Sequence, residues 1–225
     1  MIKHRKYAVK FMITALIISL CVHAANQLLI YKLYADQDYA TSSTFMNFYD
    51  IKEDTIDVLF LGSSHAVDAF IPQELYEEYG ITSYNFGSTN QSVALSYYLL
   101  KETLRFQQPQ AVVIDAYFMF SRYDDERPLN STEDDLRPAM DHMKWSPVKL
   151  EAILDLCMLD TFLDPVSFLL PNIRYHYRWK ELGEDDFKAE EKRWQDFKFG
   201  YEMFGGSNDL EYHPLIGGAA MKPRK

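Results

Sequence analysis

The sequence predicts an α/β protein: a three-layer parallel sheet with helices on both faces, incomplete toward its C-terminal side and preceded by one N-terminal transmembrane helix. Three observations carry this reading. From Phe11 to Tyr31 there is no Asp, Glu, Lys or Arg, a run of 21 residues. Short apolar runs then alternate with capped, longer stretches in the order β-α-β-α-β. The first two apolar runs each end in a glycine, Gly62 and Gly87.

The N-terminal run comes first in the chain. As a helix it spans ~31 Å at ~1.5 Å per residue, close to the thickness of a bilayer core. Lys3, Arg5, Lys6 and Lys10 precede it without an acid among them, and Lys32 and then acids follow. That asymmetry predicts an N-terminus inside and the remainder outside, anchored once in the cell membrane with an extracytoplasmic domain. The run weakens at His23, Asn26 and Gln27. A cleaved signal peptide with a small-residue site at Val22-His23-Ala24 is therefore the alternative. Cys21 makes no lipoprotein site, because Leu20 precedes it where Gly or Ala is wanted. The boundaries follow: 1–34 tail and anchor, 35–55 polar linker, 56–225 α/β domain with its C-terminal part missing.

Within the domain, Ile56 to Leu61 reads as a buried strand. A helix from Pro72 to Tyr79 has Pro at its start and Gly80 at its end. Ser83 to Phe86 is the second strand. A helix covers about Gln91 to Phe106. Ala111 to Ala116 is the third strand and the one with the most uniformly buried pattern. Residues 122–144 are charged and proline-bearing, an excursion over the sheet's carboxyl edge. Ser146-Pro147 caps a helix to about Leu159, and Asp164-Pro165 opens another. Phe187 to Phe199 is amphipathic, with Phe187, Trp194 and Phe197 toward a core. Gly200 to Lys225 is loop-like. Three strands fall short of the five or six usual for such sheets, so the chain reads as truncated.

Composition narrows the function. Net charge is −10. Removing the four N-terminal bases from the 23 leaves 19 against 33 acids. Such a domain is a poor nucleic-acid binder. The apolar fraction of 48% supports a sizeable core. Of two cysteines, Cys21 lies in the membrane run, so Cys157 has no disulfide partner in the outer domain and no Cys metal site exists. His142, His176 and His213 lack ligand spacing, and no cofactor or metal is expected.

Ligands of open α/β sheets bind at the carboxyl ends of the strands. Here these ends carry Gly62-Ser63-Ser64-His65, Gly87-Ser88-Thr89-Asn90 and Asp115-Ala116-Tyr117. The first is a place for a nucleophile, the second for backbone N–H donors to an oxyanion. Other readings stand beside these. Ser64 could simply cap the following helix, and Asn90 could cap a helix beginning at Gln91. His65 is adjacent to Ser64, and neighbouring side chains at such a turn diverge, so it reads as a surface or supporting residue. Asp115 sits where a phosphoacceptor would, but the acidic pair that such chemistry needs after strand one is replaced by Gly-Ser-Ser. Tyr175-His176-Tyr177-Arg178-Trp179 could stack on sugars, although aromatic-rich helices are more often core.

"VLFLGSSH" resembles the first block of SGNH (GDSL-type) hydrolases, and "NFGSTNQS" their second. The tail, anchor, linker and Gly-Ser-Ser block together are similar to the membrane-anchored, DltD-like branch. The resemblance covers about residues 1–120 and implies a flavodoxin-like sheet. It also implies Ser64 as nucleophile, Ser63 as a variable middle residue, and Gly87 as an oxyanion-hole donor; Asn90, by its position, is the candidate second donor. The Asn of the third block is missing, since that position reads Asp115-Ala116-Tyr117-Phe118. The final Asp-x-x-His is missing too; Asp209 to His213 is one residue too long. The implied activity is serine esterase or O-acyltransferase chemistry on acyl esters of a cell-envelope polymer. The implied partners are cell-wall polysaccharide or teichoic acid and a multi-pass O-acyltransferase. The general base would be a His oriented by an Asp, which these residues do not identify. The alternative is a non-catalytic, membrane-tethered envelope-binding or assembly protein with a degenerate fold of this type.

Overall fold

The computed structural model describes residues 2–30, 44–45, 47–117, 132–160 and 162–187. Asp209 to His213, Trp194 and Phe197 lie outside the described residues. The chain divides into two compact units: one joins Met1–Lys32 to Val166–Glu191, and the other contains Leu33–Pro165. Residues 166–187 therefore belong with the N-terminal helix and not with the sheet, although 56–225 reads as one domain in the sequence.

The sheet unit is α/β with three short parallel strands. β1 (Val58–Leu61) is central, β2 (Ser83–Asn85) and β3 (Ala111–Ile114) flank it, and the order is β2-β1-β3. Register pairs Leu59 with Tyr84 and with Val112. Parallel neighbours need crossovers, and here these are helical. β1 leads through α2 (Ser64–Ala69) and α3 (Pro72–Tyr79) to β2, and β2 leads through α4 (Val93–Thr103) to β3. Pro72 starts α3 and Gly80 ends it at φ 68°, the left-handed cap that favours glycine. Ser92, not Asn90, caps α4: its hydroxyl accepts from Leu95 N. The helix read from Gln91 to Phe106 is accordingly shorter at both ends.

α5 (Glu133–His142) falls inside the stretch read as an irregular excursion. Its start was written in the sequence as a capping box, in which Thr132 Oγ1 accepts from Asp135 N while Asp135 accepts from Thr132 N. Three acids in the first turn suit the positive end of the helix. Pro138 inside the helix masked this signal. α6 (Pro147–Leu159) has the expected bounds, with Ser146 as cap and Pro147 at the first position. It packs against α4, where Tyr98 hydrogen-bonds Asp155 and Lys101 pairs with Glu151.

Two aromatic groups dominate the core. Phe48 stacks on Phe86 at 4.9 Å and meets Tyr84 edge-on at 5.7 Å, beside Phe45. Phe60 stacks on Phe70 at 4.1 Å. Leu59, Leu61, Leu95 and Leu99 are fully buried. β3 is a correction to the sequence reading: Val112, Val113 and Ile114 are 36–43% exposed. It forms the sheet's edge, and no described element covers it.

In the other unit, α1 (Ile2–Leu29) is long and apolar enough to cross a membrane. Phe11, Leu16, Ile17, Ile18 and Leu20 are each more than half exposed, so the helix is apolar on its outside. α7 (Pro165–Leu169), α8 (Pro171–Tyr175) and a 3-10 turn (His176–Lys180) follow closely on one another, and α8 and the turn pack against α1. Buried Arg178 donates to Leu29 O at 2.7 Å and Ile30 O at 3.0 Å, and to Asp186 at 2.8 Å. It thereby satisfies carbonyls that a helix end leaves open. Asn172 N donates to Asn26 Oδ1 at 2.9 Å.

Candidate functional site

The chain leaves β1 toward β2 on one side and returns to β3 on the other. The crevice at the carboxyl ends of β1 and β3 is therefore the point where strand order reverses, the usual ligand position in such sheets. Two loops meet there, Gly62-Ser63-Ser64-His65 and Asp115-Ala116-Tyr117.

Gly62 makes the meeting possible. Its φ is +150°, and a Cβ at this position would stand 2.3 Å from Asp115 Cβ. Any side chain would push the two loops apart. With glycine in place, the Asp115 carboxylate reaches Ser63. Ser63 Oγ donates to Asp115 Oδ2 at 2.5 Å, and Ser63 N donates to the same oxygen at 3.2 Å. Asp115 Oδ1 accepts from Tyr117 N at 2.8 Å.

Ser63 is also the N-cap of α2, accepting from His65 N at 3.3 Å. His65 Nδ1 lies 3.0 Å from the same hydroxyl. A serine hydroxyl has one proton, and the carboxylate takes it. His65 Nδ1 must then be the donor to Ser63 Oγ. His65 is exposed and packs on Tyr117, ring centroids 4.2 Å apart. Burial pushes the Asp115 carboxyl up, but the Ser63 hydroxyl, the Tyr117 and Ser63 N–H groups and nearby His65 outweigh it. The group is held below its ordinary value, so it is ionised at neutral pH.

The sequence-predicted residues fall around this array. Ser64 is the first residue of α2 and half-buried. Its hydroxyl makes no hydrogen bond among the described residues. Ser63, read as a variable middle position, is instead the most heavily bonded residue of the block and only 1% exposed. With its donor and both lone pairs engaged, it is a positioning group and not a nucleophile. Gly87 N donates to Asn85 Oδ1 at 3.1 Å, so in this conformation the N–H expected in an oxyanion hole is turned to a side chain. Gly87 is tightly surrounded: a Cβ would come within 3.0 Å of Val67 Cγ2 and 3.2 Å of Gly62 O. Asn90 is left-handed at φ 53°, and its amide donates to Asp135 Oδ1 at 3.1 Å, tying the loop after β2 to α5. In this conformation the Gly87 N–H is engaged by Asn85, and one of the two Asn90 amide hydrogens is used by Asp135.

Asp115 and Ser63 are the residues whose roles the sequence left unassigned. The signal was the position of Asp115 at a strand end; its partner is 52 residues away and required the strand order. Among the described residues no three His, Cys, Asp or Glu side chains are grouped to hold a metal ion. In comparisons with known proteins, no family model, no curated protein and no solved structure matches this chain.

Proposed function

We propose that the chain is a membrane-anchored serine esterase or O-acyltransferase of the SGNH type, acting on acyl esters of a cell-envelope polymer. One observation carries the reading: a Gly-Ser-Ser-His turn stands at the carboxyl end of the central strand, where the order β2-β1-β3 reverses. A flavodoxin-like sheet of three layers would extend this order. Ser64 would attack the acyl carbonyl. The described residues offer one histidine linked to an aspartate, His65 through Ser63 to Asp115; it makes no hydrogen bond to Ser64, so the base for Ser64 stays unassigned. α1 would hold the domain at the outer face of the membrane, where a multi-pass O-acyltransferase and an acylated polysaccharide or teichoic acid would meet it.

A non-catalytic envelope-binding or assembly role is the second reading. It is favoured by Gly87, whose expected oxyanion N–H is already engaged. One experiment separates the two. The natural protein, in its own membrane, is treated with a fluorophosphonate probe. Labelling that Ser64→Ala abolishes supports the esterase. Labelling that survives Ser64→Ala, or no labelling at all, leaves the binding role.

A further inference from the structure

The stretch from Val166 to Arg178 is two short helices and a 3-10 turn, broken at Leu170, and carries a buried and an exposed stripe. Phe168, Pro171, Tyr175 and Arg178 are buried, and Arg178 shows which way this stripe faces, because it bonds the last carbonyls of α1. Val166, Leu170, Ile173 and Tyr177 form the opposite stripe, 38–47% exposed. Trp179 at 65% and Phe187 at 69% lie beyond it. This is a large amount of apolar and aromatic surface on a small unit.

Where α1 crosses a bilayer, the depth of this stripe is fixed. The uncharged run begins after Lys10. Leu29 and Ile30 follow it by about 20 residues, or ~30 Å of helix, one hydrocarbon thickness. A segment hydrogen-bonded to those carbonyls lies at the headgroup boundary, where Trp and Tyr concentrate. Charge is not the attraction: Arg174 and Lys180 are offset by Glu181, Glu184 and Asp185, and Arg178 is held by Asp186.

We propose that residues 166–187 form a membrane-interface foot, whose outward stripe lies in the headgroup–acyl boundary of the bilayer that α1 spans. The proposal rests on the anchor reading of α1. Its occupant is lipid of no particular headgroup charge, since only apolar and aromatic burial drives the contact.

The test uses the full chain in phosphatidylcholine nanodiscs, with Trp145→Phe and Trp194→Phe leaving Trp179 as the only indole. Cys157→Ser leaves Cys21, inside α1, as the only thiol. With lipid brominated near the headgroup, Trp179 emission should fall by about a third or more, as for an interfacial aromatic. Adding anionic lipid should change this little. Leu170→Asp with Ile173→Asp should remove most of the quenching while Cys21 stays protected. A membrane-impermeant maleimide should reach Cys21 only after detergent. Ready labelling of Cys21 overturns the anchor, and the foot with it. A protected Cys21 with unquenched Trp179 overturns the foot alone. Blue-shifted, unquenched Trp179 that depends on protein concentration in detergent overturns it in favour of a second copy as occupant.

Discussion

β2 and β3 pair with the same strand in the same parallel sense, yet they live in opposite surroundings. β2 reads Ser83-Tyr84-Asn85 and every residue is buried. β3 reads Ala111-Val112-Val113-Ile114 and every residue is exposed. Polarity and burial are inverted. On the β2 side, Phe45 and Phe48 cover Tyr84 and Phe86, and the Tyr84 hydroxyl donates to Thr44 O at 2.5 Å. Asn85 is fully used, its amide donating to Ala66 O at 2.8 Å and Phe70 O at 3.0 Å while its oxygen accepts from Gly87 N. Tyr84 and Asn85 are tolerated there because their buried polar groups have partners, whereas Ser83 Oγ is buried with none among the described residues. On the β3 side the inner backbone groups pair with β1, but no described layer covers the side chains. A strand's apolarity states what it could bury; its neighbours decide what it does bury.

The largest expected effect is on the covered flank. Tyr84→Ala should cost about 3–5 kcal/mol in urea denaturation of the chain in mild detergent, the range for emptying a large aromatic site. Val112→Ala should cost less than about 1 kcal/mol, as at other exposed positions. Equal losses would show that β3 has a cover of its own and would break the contrast.

Gly62→Ala joins the two flanks and should cost about 3 kcal/mol. The new Cβ overlaps Asp115 Cβ, worth roughly 1–3 kcal/mol, and the positive φ adds about 1 kcal/mol. A variant as stable as the parent would mean that the β1 and β3 loops do not meet closely.

Ser63→Ala should cost about 1–2 kcal/mol, from a lost cap and a lost hydrogen bond to a carboxylate. Asp115 makes a linked prediction about pH. Its carboxyl is lowered in the folded state. Its contribution is therefore complete above its unfolded value and lost as pH falls through the lower folded value. Asp115→Asn should be less stable at neutral pH and should flatten this acid limb. An unchanged pH profile would remove Asp115 from the array.

The smallest effect is at the open edge. Ile114→Lys should leave stability within about 0.5 kcal/mol and reduce aggregation, because a charge blunts an exposed strand. A substantial loss of stability would again place a cover over β3.

The elements with local signals were legible in the sequence. Pro72 with Gly80 bounded α3, Ser146-Pro147 opened α6, and Val58 to Leu61 announced β1. α5 was missed because Pro138 and its acids read as loop, although Thr132 and Asp135 carried a capping box. The turn at Gly62 was located, but not its internal division of labour. Which of two adjacent serines turns inward depends on where Asp115 arrives, and that is set by strand order, not by neighbours in sequence. The same holds for Gly87, whose N–H is engaged by Asn85, a residue read only as part of a strand. The exposure of β3 was illegible for the converse reason: the sequence shows what a strand offers, not what stands against it.

The arginine at the end of α1 has a consequence for the order of assembly. Arg178 follows the carbonyls it caps by 149 and 148 residues. At a synthesis rate of about 5–20 residues per second, α1 is complete roughly 7–30 s before that side chain is made. During this interval the whole sheet unit up to Leu159 is synthesised while the last turn of the helix keeps two carbonyls open to water. Nascent chains arrested before Arg178 should therefore exchange the amides at this helix end quickly, and chains released after Asp186 should protect them. The first helix to be made is the last to be finished.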